Sequence, residues 1–230
     1  MNVPEASAGP IRVAVVDDQE LMRSALRMIV ESQPDLVLVG EASDGHEALA
    51  LVRARRVDVV LMDLRMPRLD GIRATAAITA EMPDCRVIAL TTFDLDDHAF
   101  PALRAGASGF LLKDARGEEI VDAIRTVHAG HGVIAPSTTR RLIEHVAATP
   151  VEDSGRAEQV RAALTPRELD MLLEVATGDT NREIAGRLHL SEATVKTHVG
   201  HVLAKLGLRD RVQAVVLAYD AGLVKPSRRG

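Results

Sequence analysis

Three carboxylates, a hydroxyl and an amine stand at the ends of apolar runs. Asp17 and Asp18 follow IRVAVV (Ile11–Val16), and Asp63 lies at the end of VDVVLMDL (Val57–Leu64). Thr91 falls at the end of RVIALTT (Arg86–Thr92), and Lys113 ends GFLLK (Gly109–Lys113). Near-continuous apolar runs rich in β-branched residues read as parallel strands buried on both faces. Residues that end such strands stand together on one rim of the sheet. Carboxylates gathered there repel one another unless a cation joins them. Mg2+ suits a site with few carboxylates, several waters and a phosphate oxygen. The Thr91 hydroxyl and the Lys113 ammonium would bind the oxygens of a phosphoryl group carried on Asp63.

A fifth run of the same kind, VLVGEA, covers Val37–Ala42. Helical spacing separates the runs: Leu21, Leu26, Ile29 and Val30, then Ala48, Leu49 and Val52, then Ile72, Ala76 and Ile78, and last Ile120, Val121, Ile124 and Val127. Strand and helix alternate five times, which predicts an α/β domain over residues 11–130. Its expected form is a five-stranded parallel, doubly wound sheet with right-handed crossovers, binding at the carboxyl ends of the strands beside the switch point. A dinucleotide site is excluded, because the first strand leads into Asp-Asp-Gln-Glu and not into G-x-G-x-x-G. A phosphatase with Asp-x-Asp after its first strand is excluded too, since Asp63-Leu64-Arg65 lacks the second Asp and lies on the third strand. Pro101 predicts a late start for the fourth helix, near Phe100, because proline within a helix costs about 3 kcal/mol.

Residues 1–10 read as a leader, and residues 131–163 as a linker with a short helix after Pro136. From Leu164 the pattern is wholly helical. Thr165-Pro166-Arg167-Glu168 and Thr180-Asn181-Arg182-Glu183 are capping boxes, the first with Pro at the opening helical position. Gly178 stops one helix, His189-Leu190 makes a turn, and Ser191 caps a helix running towards Gly207. Four short helices over residues 164–230, the middle pair tightly joined, predict a small all-α helix-turn-helix domain.

Composition narrows the class. Aromatics are 2% of the chain while hydrophobic residues are 47%, so the cores are built from Ala, Val, Leu and Ile. The single cysteine, Cys85, cannot form an internal disulfide, which suits a reducing compartment. The first residues do not resemble a signal peptide, and no apolar run reaches 18 residues, so no membrane span and a cytoplasmic location are expected. Residues 164–230 hold ten basic and eight acidic residues, leaving 18 and 25 to the remainder. The front is therefore acidic and the rear mildly basic.

The strings VVDDQELMR, VDVVLMDLRMPRLDG, VIALTTFD and GASGFLLKD together resemble the receiver domain of two-component signalling. That resemblance implies that Asp63 accepts a phosphoryl group from a sensor histidine kinase. Asp17, Asp18, Asp63 and the backbone carbonyl of Arg65 would hold Mg2+. Thr91 and Lys113 would read the phosphorylated state, and Phe110 would occupy a switch position, turning inward as Thr91 moves. Asp114 stands where many receivers carry proline.

The stretch from LTPRE to RVQAVV resembles the LuxR-type (NarL-like) helix-turn-helix of response regulators. On the helix after Ser191, Val195, Val199, Val202, Leu203 and Leu206 are spaced for the core. Lys196, Thr197, Gly200 and His201 fall on the other side, which would enter the major groove of double-stranded promoter DNA. Mid-helix Gly200 costs about 1 kcal/mol relative to Ala, which calls for a reason such as close approach or clash avoidance. Arg182, Lys205, Arg209 and Arg211 are expected contacts to the DNA backbone. The final helix carries Val212, Val215, Val216 and Tyr219, and relatives dimerise through this element, which implies a homodimer. His198 and His201 lack the cysteines or carboxylates of a metal site. The expected molecule is a phosphorylation-switched transcription regulator rather than an enzyme. Its rivals are a regulator governed by contact without phosphoryl chemistry, and a phosphoryl-transfer enzyme or phosphate sink with an interaction module.

Overall fold

The structure, a computed structural model, describes residues 9–92, 95–130, 133–134 and 155–224. Most of the leader, the helix expected after Pro136 and the tail with Lys225 lie outside these residues. The front domain runs β1 (Ile11–Val16), α1 (Glu20–Glu31), β2 (Leu36–Ala42), α2 (Gly45–Ala54), β3 (Val59–Asp63), α3 (Gly71–Glu81), β4 (Arg86–Thr91), α4 (Leu95–Arg104), β5 (Gly109–Leu112) and α5 (Gly117–His128). With a further short strand, β6 (Val133–Ile134), all strands are parallel, in the order β2-β1-β3-β4-β5-β6. The two-residue β6 (Val133–Ile134) extends the expected five-stranded sheet into the stretch read as linker.

Alternation along the strands builds two cores. Val13, Val15, Val59, Leu61, Ile88 and Leu90 point to one face, where Leu26 and Val30 of α1 and Ile120, Ile124 and Val127 of α5 cover them. Ala14, Val16, Val60, Met62 and Val87 point to the other, against Ala48 and Val52 of α2 and Ala74 and Ile78 of α3. Sequence order reverses between β1 and β3. Their carboxyl ends therefore open the crevice in which sheets of this kind place their ligands.

Helix α4 differs from its prediction. It spans Leu95–Arg104 with Pro101 inside it, rather than starting near Phe100. The flanking Ala99, Phe100, Ala102 and Leu103 are all buried, and that burial outweighs the hydrogen bond lost at proline.

The rear domain contains α6 (Arg156–Ala163), α7 (Pro166–Ala176), α8 (Asn181–Leu188), α9 (Glu192–Leu206) and α10 (Arg211–Asp220). Both capping boxes form: Thr165 and Glu168 exchange bonds at the start of α7, and Thr180 and Glu183 at the start of α8. His189 in the left-handed region turns the chain between α8 and α9, Ser191 caps α9 through the Thr194 amide, and Gly207 ends it at φ 63°. Helix α6 corrects the linker reading. RAEQVRAA is polar but rich in good helix formers, and its one buried apolar residue, Val160, joins the domain core.

A third core links the domains. Leu64, Ala89 and Phe110 of the receiver side pack beneath α4, and the same apolar cluster continues into α7, α9 and α10. Among the described residues no helix is long and apolar enough to cross a membrane.

Candidate functional site

Asp17 leaves the end of β1, Asp63 is the last residue of β3, Thr91 the last of β4, and Lys113 follows β5. The parallel register brings them to one rim, as the strand ends predict. Lys113 Nζ lies 2.7 Å from Asp17 Oδ2 and 2.8 Å from Asp63 Oδ2. Asp17, Asp63 and Thr91 are buried, and Asp18 is exposed.

The backbone finishes the cradle. The amide of Gln19 donates to Asp17 Oδ1 at 2.9 Å, and that of Arg65 to Asp63 Oδ1 at 3.1 Å. Arg23 on α1 donates to the Asp17 carbonyl at 2.8 Å, which fixes the turn out of β1. The start of α3 lies against β3 so closely that a Cβ on Gly71 would sit 1.9 Å from the Asp63 carbonyl oxygen. Only glycine permits that approach. Asp70, one residue earlier, caps α3 through the Arg73 amide at 2.9 Å. In the same loop Arg68 has φ 66° and is tied to Asp44, the N-cap of α2.

Burial raises the Asp63 carboxyl above its ordinary pKa, although hydrogen bonds from Lys113 and Arg65 act against it and the Asp17 charge adds to it. Burial opposes the charge on Lys113, but its bonds to both aspartates prevail and raise its pKa. The amine thus stays charged at neutral pH and takes the place of a bound cation between two carboxylates. One oxygen from each of Asp17, Asp18 and Asp63 lies within 4.8 Å of the others. This hard, all-oxygen set on a rim with one exposed member fits Mg2+ with water in its remaining positions.

Thr91 is buried behind the cluster, and its carbonyl accepts the Lys113 amide at 2.7 Å. Phe110 is fully buried beneath α4, in one apolar cluster with Ala89, Ala102 and Ala107.

On α9, Val195, Val199 and Val202 are buried, and Leu203 and Leu206 pack partly against the core. Lys196, Thr197, Gly200 and His201 are exposed on the opposite side. A Cβ on Gly200 meets nothing within 4 Å among the described residues, so no internal clash requires glycine there. Arg182 is exposed as well. The other three expected backbone contacts are engaged within the chain. Lys205 pairs with Glu168 at 2.7 Å. Arg211 is drawn inward to Asn181 Oδ1 at 2.8 Å and to the Asp179 carbonyl, joining α8 to α10. Arg209 donates to the Cys85 carbonyl of the receiver at 2.7 Å. Burial lowers the pKa of both arginines. Sequence spacing does not reveal such partners, which lie 30 and 124 residues away. Val212, Val215, Val216 and Tyr219 are all buried, Tyr219 with its hydroxyl donating to the Ala176 carbonyl at 3.2 Å.

The fold and these two sites are those of a response regulator with a receiver and a LuxR-type DNA-binding domain, and the chain belongs to that family. Residues 13–125 match the family described as response regulator receiver domain, and residues 162–218 that of bacterial regulatory proteins, luxR family. The chain is 40% identical to the transcriptional regulatory protein LiaR of Bacillus subtilis, over 93% of this chain and 99% of LiaR. It is 36% identical to the response regulator protein VraR of Staphylococcus aureus, over 94% and 99% of the two chains. Among solved structures it resembles the response regulator ChrA of a heme-sensing two-component system, at 35% identity and a TM-score of 0.53, covering 94% of this chain and all of that one.

Proposed function

We propose that this protein regulates transcription under control of phosphorylation at Asp63, with a sensor histidine kinase as donor and promoter DNA as target. The observation that carries the reading is the Lys113 ammonium bridging Asp17 and Asp63 at the switch point. An Asp63 oxygen attacks the phosphorus, and the histidine nitrogen of the donor leaves. Asp17, Asp18, Asp63 and the Arg65 carbonyl would hold Mg2+, which when bound would supply positive charge beside the phosphoryl group. Lys113 is then free to move its charge from the Asp63 carboxylate to a phosphoryl oxygen, and the Thr91 hydroxyl donates to another. A new group of about −1.5 to −2 charge thus pulls on the ends of β4 and β5. Those strands carry Ala89 and Phe110, which pack under α4. Phosphorylation favours pairing of two copies and binding of promoter DNA through Lys196, Thr197, Gly200 and His201.

Intact mass after incubation with Mg2+ and a small phosphodonor tests this directly. One phosphoryl adduct on the wild type and none on Asp63→Asn is the expected result. An unmodified wild type overturns phosphoryl control and favours a regulator governed by contact alone.

A further inference from the structure

Thr197 and Gly200 lie about one turn apart on the open side of α9, and both are exposed. The Thr197 hydroxyl is already engaged. Oγ1 donates to the Ala193 carbonyl one turn back at 3.0 Å, the local bond that threonine makes within a helix. Its single donor is used there, and the γ-methyl is left to face a partner. A helical side chain leans over the turn that precedes it, so a side chain at position 200 would cover the patch around Lys196 and Thr197. Glycine leaves that patch bare. Ala204, the next residue to lean this way, is exposed and short.

Glycine inside a helix lowers its stability, so Gly200 calls for a reason. Packing supplies none, because a Cβ there meets nothing within 4 Å among the described residues. The backbone supplies none either, since Gly200 lies inside α9 and is not among the described glycines of positive φ. The reason lies outside the chain, in a partner that fills the hollow.

We infer that α9 reads thymine by its C5-methyl group, which enters the hollow over Gly200 and rests on the Thr197 γ-methyl. The inference rests on the rear domain being a reader of promoter DNA, and it names the base that the domain selects. In the major groove thymine presents a methyl group that cytosine lacks, and the methyl of threonine is an apolar surface suited to it. Guanine at the same place would present two acceptors to a patch without a free donor, and would leave them unpaired. The polar heads of Lys196, one turn before Gly200, and of His201, four residues after Thr197, are exposed at the borders of the patch.

The test uses the full chain with Mg2+ and a small phosphodonor. A tightly bound duplex is selected from a randomised pool, and its thymines are replaced one at a time by uracil, which lacks only the methyl. At one thymine of the site uracil is expected to weaken binding about fourfold, the equivalent of one buried methyl. Thr197→Ser keeps the bond to Ala193 and loses the methyl, and it is expected to bind the thymine and uracil duplexes alike. Gly200→Ala fills the hollow. It is expected to weaken binding of the thymine duplex and not of the uracil duplex, while raising the urea midpoint of the chain. A uracil effect at no thymine, or one that persists in full in Thr197→Ser, overturns the reading of the methyl. Gly200→Ala that weakens both duplexes equally assigns the hollow to the DNA backbone, and Gly200→Ala that weakens neither leaves it without a partner; either overturns it as the seat of the methyl. Failure to bind any duplex of the pool, even at low salt, overturns the DNA reading itself and this inference with it.

Discussion

Lys113 is the residue on which the site's two states turn. Its ammonium lies between two buried carboxylates, 2.7 Å from Asp17 Oδ2 and 2.8 Å from Asp63 Oδ2. Lys113→Met leaves both carboxylates in low dielectric, and removal of one partner from a buried pair costs about 3 kcal/mol. Urea unfolding at neutral pH is expected to show that loss, and millimolar Mg2+ to recover part of it. The pH dependence has a definite sign. Without the amine the Asp63 carboxyl, already raised in the wild type, rises further above its unfolded value. The deficit is then greatest at high pH and shrinks as pH falls through the raised pKa. Glu168 behaves oppositely. Bonds from Lys205 and from the Thr165 amide and hydroxyl hold its pKa at about 2, against an ordinary 4.5. Its stabilisation is present above about 4.5 and is lost as pH falls towards 2. Thermal unfolding of Glu168→Gln should therefore differ from wild type at pH 6 and converge with it near pH 2.

At the scale of elements, local signals agree with the structure wherever burial and local chemistry point the same way. The inner receiver strands β1, β3, β4 and β5 are legible because both faces are buried and their sequences are almost wholly apolar, whereas the edge strand β2 is partly exposed and carries Glu41. The rim residues are legible for the same reason, since a polar residue ending such a run has one place to go. The helices of the rear domain declare themselves by capping boxes that close as spaced. Helices α4 and α6 are misjudged because local composition and tertiary contact conflict there. Pro101 signals a start that Ala99 and Phe100 override by burial, and the polar α6 is held chiefly by Val160. The conflict in α4 has a measurable residue. Pro101→Ala restores a hydrogen-bonding amide and removes the ring, at the expense of a looser unfolded chain. The net expectation is a gain of about 1–2 kcal/mol, read as a higher urea midpoint with an unchanged slope.

The whole molecule joins an acidic front to a mildly basic rear through one continuous apolar core, and that junction is what the sequence hides. Arg104 and Asp220 are 116 residues apart, and Arg209 and Cys85 are 124. No spacing rule spans such distances, so Arg209 reads in sequence as one more basic residue beside a DNA-reading helix. Its structural setting separates it from Lys196, and salt dependence makes the difference visible. Each phosphate neutralised releases counterions and contributes about 0.9 to the slope of log affinity against log salt. Lys196 is exposed on the open side of α9. Lys196→Ala should therefore weaken binding of the full chain to duplex DNA and flatten that slope by about 0.9, whatever the sequence of the duplex. Arg209 spends its guanidinium on the Cys85 carbonyl and on a buried seam. Arg209→Ala should leave the slope unchanged, because no phosphate contact is lost, while altering affinity only through the seam. A slope that flattens equally in both variants would place Arg209 on the DNA backbone and require the seam to be open in the bound state.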